Sequence, residues 1–205
     1  MVQKQSRSVP VMRTVLDAVA DRLRDGDERL LRIPEVCRAT GVNYGSVYHH
    51  FGSREGVIEA AYEMMFTEII EQDLAMVRRA IETTASQDGF LLAIQGVLET
   101  VSTGPDRRAS RTMRLRIVAA STTRPDLREI ISASQARVTA ELAEIVGFCQ
   151  GQGWIRADMS SRSIAVILQV VIFGRNLDDL SAKPIPEQEW STFMFHLFTH
   201  LLTPS

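Results

Sequence analysis

The stretch GVNYGSVYHHF, residues 41–51, decides how this chain is to be read. Two short helices that cross steeply need a turn of three or four residues, usually with a glycine where φ is positive. Gly41 fits that position, Val42 can plug the junction, and Asn43 is a good N-cap for a second helix. Val47 and Phe51, spaced i and i+4, share one face and point toward a core. Tyr44, Ser46, Tyr48, His49 and His50 point elsewhere, and Gly45 lets the backbone approach a partner closely. A mere surface helix would carry Lys and Glu. This one carries hydroxyls and imidazoles, with no lysine or arginine between Arg38 and Arg54. The pattern is that of a helix-turn-helix.

Outward from this stretch, periodicity is helical nearly throughout, and no segment shows convincing strand alternation. Met12, Val15, Leu16, Val19 and Leu23 mark a first amphipathic helix that stops at Asp25-Gly26-Asp27. A short element follows over 34–40 and ends at Gly41. Ser53 can cap a fourth helix that continues to about Arg79. Asp88 opens a fifth, ended by the 102–105 turn. An arginine-rich helix spans 106–121, and Pro125 starts a long one to about Gln150. Residues 160–180 form an apolar helix, and Pro186 suits the first turn of a last one. The expectation is an all-α protein of about nine helices. A head over residues 1–53 would be followed by a larger ligand-binding and dimerisation domain over 54–205.

The bulk properties are compatible with that division. In 205 residues, 45% are hydrophobic and 23% charged, ordinary for a globular protein with a sizeable core. Net charge is −2, yet residues 1–54 hold nine Lys/Arg against six Asp/Glu, while 55–205 hold fourteen against nineteen. A basic end on an acidic body is the asymmetry expected when only that end meets a polyanion. Cys37 and Cys149 sit in no metal or redox spacing, so a reduced, cytoplasmic setting is expected. The longest apolar run, residues 164–173, is about half the ~20 residues a spanning helix needs.

At residues 36–57, V-C-R-A-T-G-V-N-Y-G-S-V-Y-H-H-F-G-S-R-E-G-V, the chain resembles the TetR family of transcriptional regulators. That family's signature reads approximately I-A-x-x-A-G-V-S-x-G-T-L-Y-x-H-F-x-S-K-E-x-L. Gly41, Val42, Gly45, Tyr48, His50, Phe51, Ser53 and Glu55 match it, and Asn43, Ser46, Val47 and Arg54 are conservative exchanges. The resemblance implies that Tyr48 donates to a backbone phosphate and that His50 contacts phosphate or supports the helix. Arg54 would grip another phosphate with the amides that open the fourth helix. Tyr44, Gly45, Ser46 and His49 would face base edges in the major groove. Family members often have Lys or Arg where Tyr44 stands, so readout there would be apolar or through a hydroxyl. Cys37, where the family has a small alanine, reads as a buried packing residue. Lys4, Arg7, Arg13 and Arg32 flank the motif and would supply the missing positive charge.

The body carries a second signal. Trp190, Phe193, Met194, Leu197, Phe198 and Leu201 form a continuous stripe at helical spacing, and Ile164, Ile167, Leu168, Val171 and Ile172 repeat it one helix earlier. The family pairs its final helices across a two-fold axis, so these eleven residues are the expected homodimer interface. The middle helices would form a small-molecule pocket, with candidates Met65, Phe66, Gln95, Met113, Arg114, Arg116, Phe148, Trp154, Gln169 and Phe173. Most of Arg107, Arg108, Arg111, Arg114 and Arg116 read as a solvated or salt-bridged face; the alternative turns Arg114 or Arg116, beside Met113 and Ile117, inward toward an acidic ligand. His196 and His200 share a helix face but lack a third ligand, so no metal and no cofactor is expected. No nucleophile–base pair or phosphate loop speaks for an enzyme. The expected function is a dimeric regulator, most simply a repressor released from a palindromic operator, with an activator, a ligand-independent regulator, or a helical small-molecule-binding protein with a vestigial DNA-binding head as alternatives.

Overall fold

A computed structural model describes residues 5–26 and 28–204. Among them are nine α-helices joined by short loops: α1 (Gln5–Asp25), α2 (Ile33–Thr40), α3 (Tyr44–Phe51), α4 (Arg54–Glu82), α5 (Gln87–Ser102), α6 (Pro105–Ser121), α7 (Pro125–Gly151), α8 (Ser161–Asp179) and α9 (Glu187–Leu202). A single 3₁₀ turn, Glu28–Leu30, lies between α1 and α2. The element order is the one the periodicity predicts. The ends differ by a few residues because capping settles them. Ser86 caps α5 by accepting from the Gly89 amide at 3.1 Å, and Ser160 caps α8 through the Ser163 amide. Pro186 occupies the cap position ahead of α9 rather than its first turn.

The chain divides into two compact units, residues 1–68 and 69–205. In the first, α2 packs on α1 and α3 on α2. Val15, Val19 and Leu23 of α1 are buried with Ile33 and Val36 of α2, Val47 of α3, and Val57 and Ile58 of α4. The unit extends past residue 53, where the sequence suggests a break, because α4 continues as one helix through Ala61, Met65 and Phe66, all buried. In the second unit the broadest packing is α7 on α8 and α5 on α9, with α6 laid on α7 and α8. Its core gathers Ile81, Phe90, Val146, Cys149, Trp154, Ile155 and Ile164, beside a smaller cluster of Leu98, Met194 and Phe198.

Two candidate pocket residues from the sequence therefore lie elsewhere. Met65 and Phe66 are core residues of the first unit, because the apolar stripe of α4 serves that unit up to Glu68. The dimer stripe also splits. Ile164, Met194 and Phe198 are fully enclosed in the body's own core, and Leu168, Val171, Ile172 and Trp190 line its cavity. Ile167, Phe193 and Leu201 point outward at 50, 59 and 47% exposure, with Leu197 half-buried. A helix apolar around most of its circumference has two apolar faces, and one of them is spent on the monomer.

Candidate nucleic-acid interface and body cavity

The helix-turn-helix is built by its glycines and caps. Gly41 ends α2 at φ 71°, the left-handed conformation in which a side chain is strained. Asn43 then caps α3, its Oδ1 accepting from the Ser46 amide at 3.2 Å. A Cβ at Gly45 would lie 3.1 Å from that same oxygen, so Gly45 also leaves room for the cap. Ser53 repeats the device one helix later by accepting from the Gly56 amide at 2.9 Å. With Val47 buried and Phe51 half-buried, the other side of α3 presents Tyr44, Gly45, Ser46, His49 and His50 to solvent and Tyr48 half-exposed. Tyr44 and Tyr48 stack at a tilt, ring centroids 4.4 Å apart. A hydrogen bond with Tyr44, and secondarily burial, holds the Tyr48 phenol above its usual pKa.

Arg54 has a different setting from the one the motif suggests. Its guanidinium donates to the carbonyl of Leu31 at 3.2 Å and to that of Glu28, and Nη1 lies 3.2 Å from Glu55. It binds the irregular turn before α2 to the start of α4. Tyr62 strengthens the same joint by donating to Glu28 at 2.9 Å. Arg13 is engaged too, paired with Asp17 at 2.8 Å and with Glu68. Arg32 is exposed and donates to the Arg29 carbonyl at 2.9 Å. Lys4 and the side chain of Arg7 lie outside the described residues. Cys37 is buried, and burial raises its thiol pKa.

The body holds a cavity of about 150 Å³ walled by α4 to α9. Its lining is apolar over most of its length: Ile70, Leu74 and Val77 of α4, Leu91 and Ile94 of α5, Val138 and Ile145 of α7, and Leu168 and Ile172 of α8. Asp73, Ser102, Arg111, Arg114, Gln169, Arg175, Thr199 and Thr203 add polar groups to the wall. Arg107 pairs with Asp73 at 2.7 Å, and burial still pushes the Asp73 carboxyl above the usual carboxylate range, against the pull of Arg107 and Arg114. Burial lowers the pKa of Arg114. Arg111 forks onto both oxygens of Asp179 at 2.8 and 3.0 Å. Gln169 donates to Thr139 at 3.1 Å and to the Ala165 carbonyl, and accepts from Gln135.

Of the ten pocket candidates from the sequence, Arg114 and Gln169 line this cavity, and Phe173 lines a smaller neighbouring hollow with Arg107 and Asn176. Gln95 is exposed and bonds Glu99 along its own helix. Phe148 is 51% exposed, edge-on to Trp154, which belongs to the core against Phe90. Met113 is buried away from the cavity, and Arg116 stays half-exposed on α6. Facing is set by helix phase, which residue type alone does not reveal. Asp73, Arg111 and Arg175 also line the cavity and are not among the sequence candidates. Arg175 carries a sequence signal: it is a permanent cation directly after residues 164–174, an apolar run broken only by Gln169.

Residues 29–61, which span the second helix, the turn, α3 and the start of α4, match the family model for bacterial regulatory proteins of the tetR family. Over that stretch the chain carries a DNA-binding head of the tetR type. It is 21% identical over 188 residues to the HTH-type transcriptional regulator UidR of Escherichia coli, covering 92% of this chain and 90% of UidR. Solved structures share the TetR fold along the whole chain. Salmonella enterica GusR superposes with a TM-score of 0.72 at 23% identity, covering 94% of this chain and 95% of GusR. A Saccharomonospora viridis protein solved in complex with choline gives 0.74 at 16% identity, covering 96% of this chain and all of that one. No described helix is long and apolar enough to cross a membrane.

Proposed function

We propose that this chain is a homodimeric TetR-type repressor that leaves a palindromic operator when a small molecule enters its body. The observation that carries the reading is the largely apolar cavity of the body with its few polar side chains, in a chain that also bears the helix-turn-helix. An apolar cavity with a few polar groups is the usual form of a small-molecule site. Two copies of α3 would enter successive major grooves about 34 Å apart. Tyr44, Gly45, Ser46 and His49 would meet base edges, while Tyr48, Asn43, His50 and Arg32 meet the backbone. Arg54 acts mainly by fixing the turn before α2, and secondarily as a phosphate contact.

Dimerisation would use the outward apolar face of α8 and α9. Val166, Ile167, Val170 and Leu177 of α8 and Phe193 and Leu201 of α9 are all more than 40% exposed, an arrangement a lone globular body rarely tolerates. Helix α4 starts beside α3 and its later turns, Ile70 to Ile81, wall the cavity. It is the element through which ligand would bias head spacing, provided the ligand binds the two states with different affinity. A gel shift with DNA flanking the chain's own gene tests the whole reading. Sequence-specific retention that is lost in Tyr48→Ala supports it; no retention at low salt sinks it.

A further inference from the structure

We infer that the body cavity is built for a small amphipathic anion, an organic carboxylate with one ring or a short alkyl chain, whose charged group docks at Arg175. This rests on the reading of the cavity as an effector site. Arg175 is only 3% exposed and lines the cavity. Its Nη2 donates to the Ile185 carbonyl at 2.6 Å, but Nε and Nη1 have no hydrogen-bond partner. Asp178 lies 3.1 Å from Nη1 without the alignment of a hydrogen bond, and Asp179 is 4.0 Å from Nε. Buried guanidinium donors left unmet are costly, and an acceptor brought by a ligand meets them.

The surrounding charges favour a negative ligand. Asp73, Asp178 and Asp179 are shared by Arg107, Arg108, Arg111, Arg114 and Arg175, and of these arginines only Arg108 is more than half exposed. The ring face of Trp190 already carries Arg175, its guanidinium carbon 4.5 Å from the ring centroid. The rest of the wall is mostly aliphatic, with Phe90, Trp190 and Phe198 among it, and suits an alkyl chain or a single ring.

Titration calorimetry of the full-length protein tests the inference, with octanoate and phenylacetate as probes and octanamide, octan-1-ol and octylamine as controls. Octanoate should bind about tenfold or more tighter than octanamide, since a charge-assisted bond is replaced by a neutral one. It should also exceed hexanoate by about tenfold, because two further methylenes are buried. Arg175→Gln should abolish the preference for acid over amide. Because that variant also loses the Ile185 tether, Arg114→Gln, which keeps it, should weaken octanoate more than octan-1-ol. The inference falls if neither acid binds, if amide or amine binds as tightly as the acid in the wild-type protein, or if both variants keep the acid preference. Gel shifts on the same preparation are read separately: no operator retention at low salt without ligand would refute the repressor reading while leaving the acid preference standing.

Discussion

The side chains of α3 divide their labour, and each divides it in a way that can be measured. Tyr44 is nearly half exposed and stacks on Tyr48, so its edge is available while its position is fixed. Tyr44→Ala should alter which operator sequences are preferred in a selection from random DNA, with a smaller effect on non-specific retention. Tyr48 is a donor throughout the neutral range, as any phenol is, and Tyr44 and partial burial extend that range upward. Asn43→Ala removes the cap on the Ser46 amide and should cost about 1 kcal/mol of stability in thermal or urea unfolding. Gly41→Ala forces a side chain into the left-handed region and should cost a further ~1 kcal/mol. Gly41→Ala removes no group that meets DNA, so its lost affinity should track lost folding, whereas Asn43→Ala should lose more, since Asn43 also meets the DNA backbone.

At the level of helices, Arg54 changes meaning once its partners are known. Sequence suggests a phosphate clamp; the structure shows a strut between the 28–31 turn and α4. Arg54→Ala should lower the melting temperature of the protein and weaken operator and random DNA alike, whereas a phosphate contact alone would leave the melting point unchanged. The outward face of α8 and α9 offers a second test. Ile167→Glu or Phe193→Glu places a charge on an exposed apolar face, and light scattering should show a monomer that remains folded. Helix order and length were legible in the sequence because they follow from period and punctuation: Gly41, Ser53, Pro125 and the 102–105 turn end or start elements whatever the tertiary context. Which face of a helix turns inward was not. Ile164 and Ile167 look alike in a stripe, yet one is core and the other exposed, since helix packing chooses the phase. The ion-pair network was invisible for a related reason: Asp73, Arg111 and Arg175 are far apart in sequence and meet only after α4, α6 and α8 pack.

For the molecule as a whole, charge is distributed by task. The overall balance of −2 conceals a basic first quarter, and α3 itself holds no permanent cation. About four phosphate contacts per subunit, about eight in a dimer, should make log affinity fall with log salt at a slope near −7. A slope near zero would mean that the head does not grip the backbone at all. The stacking of Arg175 on Trp190 carries a consequence of another kind. The chain has just two tryptophans, Trp154 and Trp190, and Trp154 sits in the packed core beside Phe90. An acid that draws the guanidinium off the indole face alters the electrostatic field on that ring, and the intrinsic emission of Trp190 should change in wavelength or intensity as octanoate is added. In Trp190→Phe the remaining Trp154 should stay silent. The molecule thus holds its own optical probe one ring away from the site where its ligand docks.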